Sequence, residues 1–318
     1  MKPLDGRVAL VVGGSRGIGL GAARSLGRDG ALVTICSLRE HLDEGLAALS
    51  AAGIAADGIA DHRFRNPEGI AVAADGRIWC GSSTGWVFRI EPDGSSAQAV
   101  ATTGGFLLGI AFDRSGSLYV CDLLQATVLR LRPGADAFEP FARPADGPMR
   151  VPNVVVVDDE GGLVYVSDSH GDGPGPGIWR YDLESGDGGL WYAGDLDWAN
   201  GMVLTPDRSA ILVAESWGRR VTRIAIEPDG SAGAPEVYLT VADDIVIDGL
   251  ALEAEGDLLL LCYAPSRVYR RHADGELELV IDDPDHSVLC HPTNGVLKDG
   301  VLYTANLGRW HITQIPWG

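Results

Sequence analysis

Beyond about residue 66, hydrophobic positions form a pattern of short strands that returns six times along the chain. Each repeat opens with a strand that carries a polar or turn-edge residue near its start, and a tight turn of Asp-Gly character follows. The second strand places β-branched and aromatic residues at alternate positions, which is typical of strands packed between neighbouring sheets. We call the equivalent position in the six first strands the marker, and it is occupied by Glu68, Leu108, Asn153, Asn200, Asp248 and Asn294.

The spacing of the markers gives the size of the repeat. Successive markers lie 40, 45, 47, 48 and 46 residues apart. Four strands of five or six residues with their turns need about 40–45 residues, which is the size of a propeller blade. The sequence therefore predicts an all-β fold, a six-bladed β-propeller over residues 59–318, preceded by a short α/β segment over residues 1–58.

The last repeat is too short to form a complete blade. After its third strand only three residues remain, and a propeller must close its ring or leave two open edges. We expect the missing outer strand to come from residues 54–64, just before the first repeat.

Residues 1–58 have the pattern of a different fold. The apolar strand Val8–Val12 leads into a glycine-rich turn, and a helix, a second strand and a second helix follow. This order opens a dinucleotide-binding fold, in which glycines let the backbone approach a pyrophosphate. The glycine spacing resembles that of short-chain dehydrogenases, and the resemblance implies cofactor-binding roles for Gly13, Gly17 and Gly19.

The rest of the chain does not continue that pattern. No Tyr-x-x-x-Lys pair, which carries proton transfer in short-chain dehydrogenases, occurs anywhere in the sequence. Ser37 and Arg39 rather than an acidic residue follow the second strand, so any bound nucleotide would be the 2′-phosphorylated one, NADP. We interpret the segment as a fused, non-catalytic fragment, with residual NADP binding as the alternative.

Composition and charge narrow the choice of ligand. The chain has 318 residues, with 25 Lys and Arg against 44 Asp and Glu, and a net charge of −19. Such a charge opposes binding to nucleic acid and anionic membranes and suits a cation ligand. The five cysteines are an odd number without paired spacing, and three of them fall at a second-strand position that requires a small residue, as buried structural thiols would. No signal peptide is evident, so we expect a cytoplasmic protein.

The polar markers predict a binding site at one mouth of the central channel. Inner strands of a propeller line the channel, so side chains near the strand starts converge there. Glu68, Asn153, Asn200 and Asp248 supply two carboxylates and two carboxamides. Hard oxygen donors of this kind suit Ca²⁺ or, less specifically, Mg²⁺, Mn²⁺ or Zn²⁺. The alternative is that these residues cap turns or bind channel water.

The propeller resembles the gluconolactonase, senescence-marker and luciferin-regenerating family. The resemblance lies in a Pro-Glu-Gly in the first repeat, a Pro-Asn in the third, an Asn-Gly in the fourth and an Asp-Gly in the fifth. It implies a divalent-metal-dependent lactonase in which Asp248 is both a metal ligand and the presumed general base. Val154 departs from the family, which commonly has Asp there. The family's metal ligands carry over onto Glu68, Asn153, Asn200 and Asp248.

The resemblance also frames a mechanism. The metal would polarise the carbonyl of a lactone or ester substrate, and Asp248 would activate water. His291 and His170 are candidates to orient that water or to protonate the leaving alkoxide. A second set of residues follows the second strands at equivalent places and would form pocket walls or support the ligands: Asp122, Asp168, Glu215, Tyr263 and Asn306.

Two alternatives to a lactonase remain open. The stretch from Val213 to Trp217, together with Arg220, looks like strictosidine-synthase-like propellers, which need not hydrolyse lactones. A binding propeller of that kind is the first alternative. An NADP-linked oxidoreductase led by the N-terminal segment is the second. The sequence leaves the substrate, the metal and the oligomeric state open.

Overall fold

The computed structural model describes residues 2–5, 7–12, 14–36, 39–54, 56–59, 63–171, 173–254, 256–308 and 310–317. Within these ranges the strands form six sheets, which confirms the predicted six-bladed propeller. Within each sheet the strands follow one another in chain order from the channel outward, except for the outermost strand of the third sheet and the outer strands of the last sheet.

The first three blades are formed by residues 70–196. Blade 1 consists of β4 (Ile70–Val72), β5 (Ile78–Gly81), β6 (Trp86–Ile90) and β7 (Ala97–Thr102). Blade 2 consists of β8 (Leu107–Phe112), β9 (Leu118–Asp122), β10 (Thr127–Leu131) and β11 (Glu139–Pro140). Blade 3 consists of β13 (Pro152–Asp158), β14 (Leu163–Asp168), β15 (Gly175–Asp182) and β16 (Asp187–Leu196), with β12 (Arg143–Pro144) at its outer edge.

The remaining blades complete the ring. Blade 4 consists of β17 (Ala199–Leu204), β18 (Ala210–Glu215), β19 (Arg220–Ile226) and β20 (Ala232–Thr240). Blade 5 consists of β21 (Val246–Leu252), β22 (Leu258–Ala264), β23 (Arg267–Arg271) and β24 (Leu277–Asp282). Blade 6 contains β25 (Pro292–Lys298), β26 (Val301–Asn306) and β27 (His311–Pro316), followed outward by β1 (Val8–Val12), β2 (Leu32–Cys36) and β3 (Ala56–Ile59).

The core is divided into one apolar cluster at each interface between neighbouring blades. Phe64 and Tyr303 belong to the cluster that joins blade 6 to blade 1, and this cluster closes the ring. Three buried cysteines lie in such clusters, as the repeat predicted, because only a small side chain fits there. They are Cys80, Cys121 and Cys262.

The closing strand of blade 6 differs from the prediction. Residues 8–12 pair antiparallel with β27, with Leu10 opposite Ile312, so the outer strand comes from the start of the chain and not from residues 54–64. The strand within the predicted range, Ala56–Ile59, lies two strands further out and pairs in parallel with β2. In the structure β1, β2 and β3 keep the order of a parallel βαβαβ unit, and the edge of β1 that is not paired with β2 meets β27.

Two helices complete the N-terminal segment, as its pattern predicted. Helix α1 (Gly17–Arg28) and helix α2 (Arg39–Ala51) cover one face of β1 and β2, where Leu26 and Leu49 pack with Val11. The other side of the segment reaches blade 1, since the Thr34 hydroxyl donates to the Gly94 carbonyl at 2.9 Å. The division into residues 1–58 and 59–318 stays a prediction; in the structure both parts contribute strands to one sheet. No described helix is both long enough and apolar enough to span a bilayer.

Candidate metal centre

The inner strands approach one another backbone to backbone at the channel mouth. A Cβ atom added to Gly69, which follows Glu68, would lie 2.1 Å from the Leu108 carbonyl oxygen of the next blade. Three other glycines around the ring meet a carbonyl of the next blade in the same way. Because no side chain fits at these positions, neighbouring inner strands pack in direct backbone contact at the same height along the channel. The carbonyls met by Gly109, Gly201 and Gly249 are those of Asn153, Asp248 and Thr293, respectively.

This packing corrects the marker of blade 6. Gly249 meets the carbonyl of Thr293 just as Gly201 meets that of Asp248, so the equivalent residue is Thr293 and the predicted Asn294 lies one position further on. The sequence misled because Asn294 precedes a glycine, as the blade-4 marker does. Thr293 donates its hydroxyl hydrogen bond to the Glu68 carbonyl at 3.1 Å and thereby links the last blade to the first.

The four predicted ligands are brought to this ring and are buried. Glu68 is 7% exposed, Asn153 and Asn200 are each 5% exposed, and Asp248 is 8% exposed. Polar groups at such depth need hydrogen-bond partners or ions, because desolvation is costly otherwise.

Serine residues fix the orientation of both asparagine amides. Asn153 donates from Nδ2 to the Ser169 hydroxyl at 2.9 Å, and Ser169 donates in turn to the Ala199 carbonyl at 2.7 Å. Asn200 donates in the same way to Ser216 at 3.2 Å, and Ser216 donates to the backbone of blade 5 at 2.7 Å. Since Nδ2 is engaged in both residues, the amide oxygens are turned the other way.

Three buried oxygens at the ring have no hydrogen-bond partner among the described residues. They are the Oδ1 atoms of Asn153, Asn200 and Asp248. A buried acceptor without a partner costs about 1–3 kcal/mol, so three in one place point to a ligand that accepts lone pairs. Two amide oxygens and two carboxylates are the donors that Ca²⁺, Mg²⁺ and Mn²⁺ prefer. In the part of the chain that the structure describes, no group of three or more His, Cys, Asp or Glu side chains could hold a metal, so amide oxygens are needed for such a site.

The electrostatics of the two carboxylates agree with a cation site. Burial raises the pKa of Glu68 to about 7. Burial, and after it the negative charge of Glu68, raises the pKa of Asp248 well above its usual range. Both pKa values are raised because ionisation would place a negative charge where water is excluded. A bound cation would offset this cost of desolvation.

The ring of His291 stacks on Tyr263, which lies close to the two carboxylates. Its Nδ1 is 2.7 Å from the Tyr263 carbonyl oxygen, which can only accept, so Nδ1 carries the proton and Nε2 is left as an acceptor. The two rings stack with centroids 4.6 Å apart. The pKa of Tyr263 is raised by burial and then by the charges of Asp248 and Glu68, which places this stack at the edge of the ring.

His170 occupies a different part of the mouth. Its backbone N–H donates to Asp168, and its ring nitrogen Nδ1 is 3.3 Å from Nη1 of Arg150. The ring packs over Gly175. These contacts place His170 in a loop of blade 3, away from the stack formed by His291.

Most of the residues that follow the second strands hold loops in place. Four of them are fully or almost fully buried, and each accepts a hydrogen bond from a backbone N–H of the segment that leads into the inner strand of its own blade. These hydrogen bonds fix the backbone of the segments next to the channel mouth, as capping side chains do. The acceptor–donor pairs are Asp122 with Phe106, Asp168 with Val151, Glu215 with Asp197, and Asn306 with Cys290.

Sequence reasoning missed the two serines and an aromatic wall. Ser169 and Ser216 each follow their asparagine by 16 residues, and this repeated spacing is the signal that could have found them. Trp198 and Trp217 flank Asn200 and Ser216 in sequence, and their rings lie 5.8 Å apart. Trp217 is 51% exposed although it is large and apolar, and Trp198 has a left-handed φ of 64°. Exposed aromatic groups and strained backbone of this kind are concentrated at binding sites.

The predicted nucleotide turn is only partly described. Gly13 lies outside the described residues. Helix α1 begins at Gly17, which has a φ of 54°, and Gly19 lies in its first turn. Arg16, just before the helix, donates to the Glu44 carboxylate of α2 at 3.1 Å. Binding of NADP at this turn stays a prediction.

Solved structures of similar fold cover the propeller. A gluconolactonase from Xanthomonas campestris matches with a TM-score of 0.66 at 19% identity, over 80% of this chain and 87% of its own. The calcium-binding protein regucalcin from Agrobacterium tumefaciens matches with a TM-score of 0.64 at 15% identity, over 80% and 91% of the two chains. A luciferin-regenerating enzyme matches with a TM-score of 0.65 at 14% identity, over 79% and 91%. At these identities the likeness shows the fold.

Sequence comparisons add two short matches and one long one. Dehydrogenase/reductase SDR family member 4 of Sus scrofa is 42% identical over 62 residues, which is 19% of this chain and 22% of that relative. Residues 49–90 match the N-terminal model of strictosidine synthase-like proteins. Residues 100–297, more than half of the chain, match the model of the SMP-30/gluconolactonase/LRE-like region. This chain therefore belongs to the SMP-30/gluconolactonase/LRE-like family.

Proposed function

We propose that the protein is a divalent-metal-dependent hydrolase of the lactonase type, with its active centre at the channel mouth. The observation that carries the proposal is the set of three buried oxygens without partners, on Asn153, Asn200 and Asp248, beside the buried carboxylate of Glu68. Family membership supports the choice of lactone hydrolysis.

The metal would be held by the two carboxylates and the two amide oxygens. Their summed charge of −2 and their oxygen chemistry favour Ca²⁺, with Mg²⁺, Mn²⁺ and Zn²⁺ as alternatives. A divalent ion in this position supplies Lewis-acid polarisation of a substrate carbonyl and lowers the pKa of water.

The chain's own residues prepare and assist the reaction. Ser169 and Ser216 hold the amides of Asn153 and Asn200 in the orientation that binding needs, so little reorganisation accompanies it. Asp248 is the general base that takes a proton from the attacking water. As water adds to the lactone carbonyl carbon and the ring C–O bond breaks, the alkoxide that leaves must gain a proton.

His291 is the better placed of the two histidines for that proton transfer. Its Nδ1 is fixed on the Tyr263 carbonyl, which leaves Nε2 as the atom that would receive from Asp248 the proton taken from water and pass it to the alkoxide. His170 lies against Arg150 in blade 3, where it would orient substrate at the rim.

Paired variants test the centre. Glu68→Gln and Asp248→Asn should each remove bound Ca²⁺, measured by elemental analysis after dialysis, and abolish hydrolysis of a panel of lactones. The matched control is Glu236→Gln, because the Glu236 side chain is 69% exposed on blade 4 and makes one surface ion pair. If the ring variants keep their metal and hydrolyse lactones at the parent rate, the proposed site is wrong.

A strictosidine-synthase-like binding propeller is the second candidate, and the match over residues 49–90 favours it. This candidate needs no metal, and it predicts a protein that binds small molecules but hydrolyses none of the lactones or esters in the panel. Hydrolysis that depends on Glu68 excludes it.

A further inference from the structure

A cavity lies at the end of the propeller opposite the metal centre. It encloses about 620 Å³ between blades 1 and 2, within the range of small-molecule sites, and it is lined by the turns that join their first and second strands. Blade 1 runs from Glu68 at the mouth to Ala74 in this turn, and six extended residues span roughly 20 Å. The cavity is therefore separate from the proposed reaction.

The wall of the cavity is aromatic. Trp79 and Phe112 meet edge to face with ring centroids 5.5 Å apart, and Val100 packs beside them at the interface of blades 1 and 2. These rings offer an apolar surface on which an aromatic ligand can pack.

The rim of the cavity carries charges of both signs. Three arginines and two aspartates line it, but two of the arginines and one of the aspartates are paired with charged groups of the protein. A ligand is therefore selected by the charged group whose hydrogen-bond donors remain available, and not by a net positive field. The charged lining residues are Arg89, Arg114, Arg132, Asp75 and Asp113.

Arg89 is the arginine that is available to a ligand. The other two lining arginines form ion pairs with glutamates at 2.9 and 2.8 Å. Arg89 donates to the neutral amide oxygen of Gln98 at 2.6 Å and makes no ion pair within the described part of the chain. The nearby Asp75 is engaged by Arg77 at 2.8 Å. The Arg89 guanidinium therefore keeps donors for an incoming carboxylate.

We propose that this cavity is a binding site for a small aromatic carboxylate. The ring of the ligand packs on Trp79 and Phe112, and its carboxylate pairs with Arg89. Arginine suits this task because its planar fork matches the geometry of a carboxylate.

Calorimetric titration of the full chain tests the site with three probes. The probe 2-naphthoate has both ring and charge, 2-naphthalenemethanol lacks the charge, and acetate lacks the ring. We expect saturable binding of 2-naphthoate that is at least about tenfold tighter than binding of either control. Arg89→Gln should weaken it about tenfold and Trp79→Phe about threefold.

Two further variants make the result decisive. Arg143→Gln removes an arginine of blade 3 whose side chain is 66% exposed, and it should leave 2-naphthoate binding unchanged. Glu68→Gln should also leave binding unchanged, because the cavity does not include the channel mouth. Absence of saturable binding, equal affinity for the alcohol, or loss of binding in Glu68→Gln would each overturn the proposal. Melting temperatures equal to that of the parent show that Arg89→Gln and Trp79→Phe are folded.

Discussion

Asn200 donates from its side-chain amide to the hydroxyl of Ser216 at 3.2 Å, and this hydrogen bond decides which end of the amide faces the channel. Without it the amide could rotate and present N–H groups, which repel a cation. The serine thus acts on the metal centre through the asparagine, in the manner of the outer partners that orient metal ligands.

Ser216→Ala should therefore weaken Ca²⁺ binding about tenfold, with a parallel loss of lactone hydrolysis at limiting Ca²⁺. The hydroxyl of Ser216 is buried at the ring, whereas that of Ser231 bonds only the neighbouring Asp229 in a surface turn, so Ser231→Ala is the matched control. Saturating Ca²⁺ should restore the rate of Ser216→Ala. An unchanged affinity for Ca²⁺ would show that Ser216 does not orient the ligand.

The pH dependence of stability should reveal Glu68 in the metal-free protein. Folding raises the pKa of Glu68 from 4.5 to about 7, so between these values the folded state holds more protons than the unfolded state. The contribution of Glu68 to the free energy of unfolding should then fall as pH rises through this window and level off above it. Thermal melts of the metal-free protein, compared with those of Glu68→Gln, isolate this contribution.

Two comparisons complete that experiment. Saturating Ca²⁺ should remove the decline, because the ion holds the carboxylate ionised in the folded state. Identical pH profiles for Glu68→Gln and the parent in metal-free buffer would contradict the burial of an ionisable Glu68 at the ring.

The repeat was predictable from the sequence because each blade carries its own copy of the signal. The alternation, the turn residues and the spacing recur from blade to blade, so comparison with the other repeats corrects an ambiguous assignment in one of them. The markers Glu68, Asn153, Asn200 and Asp248 were found in this way. The blade-6 marker was assigned one residue too late because Asn294-Gly295 imitates Asn200-Gly201, and only the backbone contact of Gly249 with Thr293 settles the register.

The closing strand could not be predicted by the same means. The repeat pattern states that a strand is missing but not which segment supplies it. Val8–Val12 carries the signature of a parallel sheet, and its pairing with β27 depends on a free edge that exists only in three dimensions. Ser169 and Ser216 share a spacing of 16 residues from their asparagines, but the hydrogen bonds that make them part of the site join side chains of different segments and are seen only in the structure.

The pairing of β1 with β27 predicts that the start of the chain stabilises the propeller. Val11 of β1 is completely buried against the two helices. Val11→Asp should therefore lower the free energy of unfolding by about 3 kcal/mol or more. The control Val237→Asp changes a residue that is 60% exposed on blade 4. Calorimetry should show the main unfolding transition moving to lower temperature. A separate minor transition, with the main one unmoved, would mean that residues 1–58 unfold on their own.

The aromatic wall at the mouth predicts a preference among substrates. Trp217 is exposed beside Ser216, with Arg219 5.5 Å from its ring, so it offers a stacking surface to the part of a substrate that extends from the centre. Trp217→Ala should raise KM for an aryl lactone such as dihydrocoumarin about fivefold, while kcat and the KM for gluconolactone change little, because stacking binds ground state and transition state alike. Leu279→Ala removes another exposed apolar side chain, from the outer strand of blade 5, and serves as the control. Equal changes in KM for both lactones would show that Trp217 supports the fold of the mouth and does not contact the substrate.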